Sequence, residues 1–319
     1  MGLLVNGLWQ SEETAPTGTG GRYLRPESQF RNWVTADGSS GFPAEPGRYH
    51  LYIAIGCPWA HRTWIFRTLK RLEDIISMSI VTPRRTDHGW VFDPANPRYQ
   101  DTLLGTRSLH EVYTLAQPDY TGRVTVPVLW DKERQTIVNN ESPEIIRMFN
   151  SAFNAFTDDR TDYYPEPLRA EIDAFNNLIY QTVNNGVYRA GFAVTQEAYE
   201  EAVDAVFATL DQLEVRLATR RYLLGNPLTE ADWRLFPTLV RFDVAYHGAF
   251  KCNIRRLVDY PNLWAYTREL YQMHGIAETV DLEIYQQGYY SLSPSRNPVG
   301  IVPKGPVIDF SVPHGRSAL

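Results

Sequence analysis

The apolar positions near the start of the chain change from strand-like to helix-like spacing and back again. Residues Tyr49–Ile55 form a run of β-prone side chains that is typical of a buried strand. A second β-prone run covers Ile75–Val81 and ends before Pro83. Between the two runs, helical spacing is shared by Trp64, Ile65, Leu69 and Leu72. The pattern therefore predicts a β-α-β element.

A hairpin and a helix are predicted later in the same domain. Val124–Asp131 and Gln135–Asn139 are both β-prone and are separated by a short polar turn. Ser142–Glu144 then has the composition of a helix start, with an N-cap serine, a proline at the first helical position and an early acid. We expect this helix to run through Phe149. Together these elements predict an α/β domain over residues 49–150.

The second half of the chain has helical periodicity. One amphipathic stripe, with apolar residues three or four positions apart, consists of Tyr199, Val203, Val206, Leu210, Leu213 and Leu217. Thr229–Asp232 resembles a capping box in which Asp232 takes the place of the usual Glu or Gln. The pattern predicts an all-helical domain over residues 166–284.

Four segments lack regular periodicity. Residues 1–48 are rich in Gly, Pro, Ser and Thr, and they predict an extended N-terminal arm. Residues 84–122 predict an insertion beside the active site, because long irregular loops in compact domains are usually functional. Residues 150–165 are polar and predict a domain linker. Residues 285–319 contain five prolines, so they predict a C-terminal extension that is not helical and lies on the surface or over a cleft near the active site.

Composition and charge exclude several classes of protein. The chain has 319 residues, and 31 Lys and Arg against 37 Asp and Glu give a formal net charge of -6. This charge provides no general attraction to nucleic acid or anionic lipid, and no apolar run reaches the roughly 18 to 20 residues of a membrane span. Two cysteines and seven histidines are too few for a disulfide framework or a zinc module. We therefore expect a cytoplasmic protein without a metal.

Cys57 is the strongest candidate for a nucleophile. It lies where the first predicted strand meets the first predicted helix, so unpaired N–H groups and the helix dipole can stabilise a thiolate. His61 and Arg62 can add positive charge one turn further on. The third position after Cys57 is Ala60, so no internal disulfide can form, and Cys57 must act as a single thiol. We expect Cys252, far along the chain, to be structural.

Two pairs of residues suit a peptide-like ligand. If the Val126–Pro127 bond is cis, the N–H and C=O of Val126 can pair with an extended peptide, and an ordinary strand-start proline is the alternative. Glu141 and Ser142 suit the ammonium and carboxylate of an α-amino acid. Alternatively, Ser142 caps its own helix while Glu141 faces solvent. The local sequence leaves both alternatives open.

Taken together, these residues resemble the thioredoxin-fold glutathione transferases, and more narrowly their Xi class, the glutathionyl-hydroquinone reductases. The matching segments are Gly56–Arg62, Gly122–Asp131, Asn140–Ser142, Asn184–Tyr188 and Gly288–Tyr290. The resemblance implies the glutathione transferase fold, in which an α/β thioredoxin-like N-terminal domain precedes an all-α C-terminal domain. It also implies a homodimer, and glutathione bound as cosubstrate in the cleft between the domains.

The same resemblance implies a reaction and roles for individual residues. Cys57 corresponds to the nucleophile that takes glutathione from an S-glutathionyl-hydroquinone as a mixed disulfide, which a second glutathione resolves to oxidised glutathione. The residues implied to contact glutathione are Trp90, Arg123, Val126, Pro127, Glu141 and Ser142. The residues implied to face the aromatic ring are Tyr188 and one of the pair Tyr289 and Tyr290.

Two other functions use parts of the same sequence. An Omega-like monothiol transferase or dehydroascorbate reductase also needs Cys57, but it needs no pocket for an aromatic ring. The insertion with Trp90 and the Tyr289–Tyr290 pair favour the reductase. A noncatalytic scaffold of the same fold would need neither Cys57 nor Glu141 and Ser142, so their presence argues against it.

Overall fold

The computed structural model describes residues 2–11, 17–291 and 297–319. These residues divide into two compact units, and each has its own apolar core. The first unit contains residues 2–11 and 26–161. The second contains residues 17–25, 162–290 and 297–319.

The strands of the first unit form a large and a small sheet. In chain order they are β1 (Leu3–Val5), β2 (Leu8–Gln10), β3 (Tyr49–Ile53), β4 (Ser77–Ile80), β5 (Gly122–Arg123), β6 (Val128–Asp131) and β7 (Thr136–Asn139). The large sheet has the order β4-β3-β6-β7, in which β3 and β4 are parallel and the other pairs are antiparallel. All of β3 is buried, as expected for a central strand with both faces covered. The predicted β-α-β element and the predicted hairpin are both present.

The helices of the first unit are α1 (Pro58–Leu69), α2 (Leu109–Ala116) and α3 (Ser142–Ser151). Helix α1 connects β3 to β4 and packs against α3. Its first residue is Pro58. At the first helical position a backbone N–H has no acceptor within the helix, so a proline there costs no helical hydrogen bond. Helix α2 lies in the predicted insertion and starts with a reciprocal cap between Ser108 and Glu111.

The predicted N-terminal arm is more ordered than its composition indicates. Strand β1 pairs with β2 and with β5, which follows the insertion. Residues 26–48 also pack into the first unit: the Asn32 N–H donates to the Val138 carbonyl at 3.0 Å, and Val34 is fully buried. Glycine and proline content did not reveal this packing, because the partners lie far along the chain.

The helices of the second unit are α4 (Arg169–Ile179), α5 (Gly186–Phe192), α6 (Gln196–Leu217), α7 (Glu230–Leu239), α8 (His247–Ala249), α9 (Pro261–Tyr271) and α10 (Leu282–Tyr290). In α6, the predicted stripe from Val203 to Leu217 is buried and packs against α5 and α9. Within the described residues, no helix is long and apolar enough to cross a membrane.

Helix α7 begins with the predicted reciprocal cap. The Thr229 N–H donates to Asp232 Oδ2 at 2.9 Å, and the Thr229 side chain accepts from the backbone at Asp232. The Leu223 N–H and the Tyr266 hydroxyl also donate to Asp232 Oδ1, at 2.9 Å and 2.8 Å. Asp232 therefore joins three parts of the second unit in addition to forming the predicted capping box.

The C-terminal extension differs from its prediction at its start. Helix α10 continues beyond Tyr285 to Tyr290, because the first proline of the extension comes only at Pro294. Further on, Phe310 is buried against Trp264 and Tyr271. Arg316 is buried as well, and it donates to Glu269 Oε2 at 3.1 Å and to the Leu217 carbonyl at 3.0 Å. Phe310 and Arg316 therefore anchor this segment to the second unit.

Candidate functional site

Cys57 is the residue that directly precedes helix α1. Its side chain is partly exposed, and its Sγ lies 3.6 Å from the Val126 carbonyl oxygen. Cys57 therefore lies beside the N-terminus of α1, which is the positive end of the helix dipole. The strand, the cysteine and the helix therefore have the predicted order.

Cys252 has the opposite environment. It is fully buried, its Sγ lies 3.9 Å from the Phe250 carbonyl oxygen, and burial raises the pKa of its thiol to about 12. Cys252 therefore keeps its proton at neutral pH and is unsuited to nucleophilic attack. Among the described residues, no group of three or more His, Cys, Asp and Glu side chains is arranged to hold a metal ion.

The Val126–Pro127 peptide bond is cis, which is one of the two interpretations that the sequence left open. Val126 is 4% exposed. Within the described part of the chain, its N–H has no hydrogen-bond acceptor. A buried N–H without an acceptor is unfavourable, so this group is available to a peptide-like ligand beside Cys57.

Glu141 and Ser142 lie at the N-terminus of α3, but the helix begins one residue earlier than predicted. Ser142 is its first residue, and the N-cap is Glu141. Ser142 therefore does not cap its own helix. Its hydroxyl oxygen is buried and has no hydrogen-bond partner among the described residues. A buried hydroxyl at a helix N-terminus is a natural donor to the carboxylate of a ligand.

Glu141 is oriented by two neighbours that the sequence did not identify. Its backbone N–H donates to Asn139 Oδ1 at 2.7 Å, and its Oε2 accepts from the Ser28 hydroxyl at 2.9 Å. Ser28 belongs to the predicted arm. A carboxylate held in this way beside the start of α3 is suited to bind an ammonium group.

Trp90 and Arg123 belong to the same unit and are partly exposed. The Trp90 carbonyl accepts from the Leu109 N–H at 2.8 Å, and the Arg85 guanidinium lies 5.2 Å from the centre of a Trp90 ring. Arg123 lies on β5, opposite Leu3 of β1. The structure therefore fixes the backbone of both residues through the insertion and the N-terminal strands.

In the second unit, the structure brings two of the predicted tyrosines together. The hydroxyl oxygens of Tyr188, on α5, and Tyr289, on α10, lie 2.6 Å apart. A third hydroxyl, that of Tyr246, lies 2.9 Å from the Tyr289 hydroxyl. We call Tyr188, Tyr246 and Tyr289 the tyrosine cluster. Burial raises the pKa of Tyr289 well above its usual value, so this phenol stays protonated.

Phenylalanine rings and a buried cation surround the tyrosine cluster. Phe250 contacts Tyr188 and Tyr289 with ring centroids 5.3 Å and 5.4 Å apart, and Phe192 stacks on Tyr188 at 6.1 Å. Arg241 is fully buried, and it opposes the rise in the pKa of Tyr289. The sequence did not identify Tyr246 or Arg241, because their neighbours along the chain form no recognisable motif.

The two tyrosines of the Tyr289–Tyr290 pair have different surroundings. Tyr289 belongs to the tyrosine cluster and is 6% exposed. Tyr290 is only partly buried, and its hydroxyl packs directly against Gly248. The contact is so close that a Cβ added to Gly248 would lie 2.0 Å from the Tyr290 hydroxyl oxygen. The structure therefore associates Tyr289 rather than Tyr290 with Tyr188.

Irregular helical turns place two members of the tyrosine cluster. A π-helical turn over Tyr180–Asn184 precedes α5, which carries Tyr188. A second π-helical turn, Phe242–Tyr246, ends at Tyr246 itself. Such turns add a residue to the helical repeat and rotate the side chains that follow, and they are common at functional sites.

Two protein families match the chain by sequence. The N-terminal domain of glutathione S-transferases matches residues 56–152, which include Cys57, Val126, Glu141 and Ser142. The C-terminal domain of glutathione S-transferases matches residues 196–269, which include Tyr246.

Individual relatives match nearly the whole chain. It is 52% identical to glutathionyl-hydroquinone reductase YqjG of Escherichia coli (strain K12), over 99% of this chain and 98% of the relative. It is also 52% identical to glutathionyl-hydroquinone reductase PcpF of Sphingobium chlorophenolicum, over 96% of each protein. The glutathione-bound structure of YqjG has a TM-score of 0.92 at 50% identity and covers 99% of both chains. An Xi class glutathione transferase from Natrialba magadii has a TM-score of 0.93 at 48% identity, over 99% of this chain and 96% of that one.

Proposed function

Because the chain belongs to the glutathione transferases, and within them to the Xi class of glutathionyl-hydroquinone reductases, we propose that it reduces S-glutathionyl-hydroquinones to hydroquinones. The predicted fold, an α/β thioredoxin-like N-terminal domain followed by an all-α C-terminal domain, is confirmed. Glutathione is the cosubstrate. The roles of individual residues are part of the proposal.

One observation carries this function: a partly exposed cysteine, Cys57, precedes helix α1, and the third residue after it is Ala60. A conjugating transferase uses a hydroxyl donor at this place to keep the glutathione thiolate free for attack on its substrate. A cysteine thiolate instead attacks a sulfur atom that already belongs to glutathione. Without a second cysteine at position 60, the resulting disulfide must be resolved by an external thiol.

The reaction has two balanced steps. In the first, the Cys57 thiolate attacks the thioether sulfur of the glutathionyl-hydroquinone, so that a Cys57–glutathione disulfide forms and the bond between sulfur and the ring carbon breaks. The electron pair of that bond leaves with the ring carbon, which takes up a proton and gives the free hydroquinone. In the second step, the thiolate of another glutathione attacks the glutathione sulfur of the disulfide. This step releases oxidised glutathione and restores the Cys57 thiolate.

Residues of the first unit, which also carries Cys57, are proposed to hold the glutathione part of the substrate. The Val126 N–H and C=O pair with the cysteinyl backbone, and Pro127 shapes that turn. Ser142 and the N-terminus of α3 bind the γ-glutamyl carboxylate, while Glu141 binds its ammonium group. Further contacts to glutathione are proposed for Trp90 and Arg123.

The tyrosine cluster is proposed to supply the proton. Tyr188 is partly exposed, whereas Tyr289 is buried and its hydroxyl lies 2.6 Å from that of Tyr188. We therefore assign the donor role to Tyr188 and the orienting role to Tyr289. Tyr290 is not assigned a role in proton transfer, because its hydroxyl packs against Gly248 instead.

The direct test is to mix the purified protein with glutathionyl-menadiol and glutathione, and to follow menadiol and oxidised glutathione by chromatography. The proposed function requires equimolar release of both products. Activity on hydroxyethyl disulfide without any release of menadiol would instead identify an Omega-like thiol transferase. Inactivity in both assays would favour a noncatalytic scaffold.

The proposal extends to assembly and compartment. The family resemblance supports a homodimer, and two cysteines without a disulfide suit the reducing cytoplasm. Analytical ultracentrifugation tests the first part, because a homodimer sediments at twice the chain mass of 36.6 kDa. Fractionation of the source cells tests the second.

A further inference from the structure

We infer that Tyr113 is a positioning residue of the glutathione site, where it sets the distance between the segment that binds the cysteinyl group and the segment that binds the γ-glutamyl group. This inference rests on the proposed function, because it assumes that glutathione occupies both segments. Tyr113 lies on α2, within the insertion that the sequence predicts beside the active site. Its hydrogen bonds go to Thr125 and Asn140 rather than to Cys57 or the proposed ligand groups.

The Tyr113 hydroxyl joins two segments of backbone. It donates to the Thr125 carbonyl at 2.8 Å and accepts from the Thr125 N–H at 3.2 Å. It also accepts from Asn140 Nδ2 at 3.0 Å. One donor and two acceptor positions are all that a hydroxyl has, so its hydrogen bonding is complete.

The residues that Tyr113 holds are the direct neighbours of the proposed ligand groups. Thr125 precedes Val126, which is proposed to pair with the cysteinyl backbone. Asn140 precedes Glu141, which is proposed to bind the ammonium group. Loss of the hydroxyl therefore removes a link between the two segments without removing any group that binds glutathione.

The Tyr113 ring is held independently of its hydroxyl. Tyr113 is fully buried, and its ring contacts Phe30 at 5.8 Å and Tyr120 at 5.2 Å between centroids. A Tyr113→Phe variant keeps these contacts and loses only the oxygen. Burial also raises the pKa of Tyr113, so the hydroxyl remains protonated and able to donate at neutral pH.

A distance between two subsites matters only to a ligand that occupies both of them. Glutathione has a γ-glutamyl group and a cysteinyl group, whereas cysteinylglycine lacks the γ-glutamyl group. If Tyr113 sets this distance, its hydroxyl should be important for binding glutathione and nearly irrelevant for binding cysteinylglycine. A general loss of packing would weaken both ligands alike.

The experiment is calorimetric titration of the full-length Cys57→Ser protein, in which disulfide chemistry cannot interfere, with and without Tyr113→Phe. We expect the Kd for glutathione to rise about tenfold, and the Kd for cysteinylglycine to change less than about twofold. Tyr49→Phe is the matched control, because Tyr49 is also a buried phenol and its hydroxyl donates to the Pro43 carbonyl at 2.7 Å. The control should bind both thiols as the parent does.

A second variant, Asn140→Ala, removes the other end of the link and should also weaken glutathione selectively. In the background with intact Cys57, Tyr113→Phe should raise the KM for glutathione while kcat stays within about twofold. Unchanged glutathione binding in both variants, or equal weakening of both thiols, overturns the inference. If the Cys57→Ser parent binds no glutathione, the proposed function fails, and the inference fails with it.

Discussion

The hydroxyl oxygens of Tyr188 and Tyr289 lie 2.6 Å apart, although 101 positions separate the two residues in the chain. Tyr289 is buried and also lies 2.9 Å from the hydroxyl of Tyr246, whereas Tyr188 is partly exposed. In the proposed reaction this arrangement suits the two residues to different tasks. Tyr188 would donate the proton, and Tyr289 would orient the Tyr188 hydroxyl.

We predict that Tyr188→Phe slows the release of hydroquinone about a hundredfold, because removal of a general acid costs about this much. Tyr289→Phe should have a smaller effect, about tenfold, since it removes only the orienting bond. Both variants should retain the reduction of hydroxyethyl disulfide, which needs no proton on carbon. Single-turnover rates for the two substrates separate these effects. Equal losses on both substrates would contradict the proton-donor role.

Two further variants serve as controls for the tyrosine cluster. Tyr199→Phe removes a hydroxyl that donates to the Lys251 carbonyl at 2.7 Å on the same unit, and it should leave the rate of hydroquinone release unchanged. Tyr290→Phe should have a smaller effect than Tyr289→Phe. A larger effect at Tyr290 would reverse our choice between the two neighbours.

We predict that Cys57→Ser lowers kcat for hydroquinone release by about a thousandfold or more, because the nucleophile is lost. Cys252→Ala should retain turnover, since burial keeps the Cys252 thiol protonated, with its pKa raised to about 12. Mass spectrometry of the protein after reaction with glutathionyl-menadiol in the absence of free glutathione should show a glutathione adduct in Cys252→Ala and none in Cys57→Ser. An adduct in Cys57→Ser would place the chemistry on another residue.

Gly191 is predicted to be essential for the packing around Tyr188. A Cβ at this position would lie 2.2 Å from the Phe250 ring, which cannot move away because it packs on Tyr188, Tyr246 and Tyr289. Gly191→Ala should therefore lower the free energy of unfolding by about 2 to 3 kcal/mol, as measured by urea denaturation.

Gly186→Ala is the matched control for Gly191→Ala, because both glycines lie in α5. Its Cβ would meet a methyl group of Val206 at 3.0 Å, which a small shift relieves. This variant should lose less than about 1 kcal/mol. Similar losses in the two variants would mean that the contact with Phe250 is not the cause.

His50 makes the stability of the first unit dependent on pH. It is 1% exposed, and its ring nitrogens lie 2.7 Å and 2.9 Å from the hydroxyls of Ser77 and Ser79. Burial lowers the pKa of His50 to about 4, from 6.5 in an exposed histidine. Below about pH 6.5 the unfolded chain therefore binds a proton that the folded protein resists.

From this shift we predict that the free energy of unfolding falls as the pH is lowered from about 6.5 to about 4, by up to ~3 kcal/mol. Urea denaturation at a series of pH values measures the fall. His50→Gln can keep hydrogen bonds to the two serines but cannot be protonated. Its free energy of unfolding should therefore fall less between pH 6.5 and 5 than that of the parent protein. The same slope in both proteins would assign the pH dependence to other groups.

Local patterns were sufficient for the elements and for the position of the candidate nucleophile. Alternation and helical spacing identified β3, α1, the hairpin and α6, because each pattern depends only on neighbours within about one helical turn or one strand. The place of Cys57 between a strand and a helix follows from the same local information. The reciprocal cap of Thr229 and Asp232 is also a local feature, since the two residues are three positions apart.

Local patterns failed where contacts join distant parts of the chain. The N-terminal residues read as an irregular arm, but β1 pairs with β5 and Ser28 orients Glu141. Ser142 has the composition of an N-cap in the sequence, yet the helix begins with it and leaves its hydroxyl without a partner among the described residues. In each case the outcome depends on a partner about a hundred positions away or on a shift of one residue, which spacing does not encode.

Local periodicity and the family resemblance predicted the fold class, which the comparisons confirm, together with a single candidate thiol and a candidate set of glutathione contacts, because these depend on motifs of consecutive residues. Only the tertiary structure placed Tyr289 rather than Tyr290 beside Tyr188, added Tyr246 to the tyrosine cluster and linked Thr125 to Asn140 through the Tyr113 hydroxyl. Those choices depend on how helices far apart in the chain pack. That packing sets the distance between the Tyr188 and Tyr289 hydroxyls, so the distance cannot be predicted from the residues next to either tyrosine in the sequence.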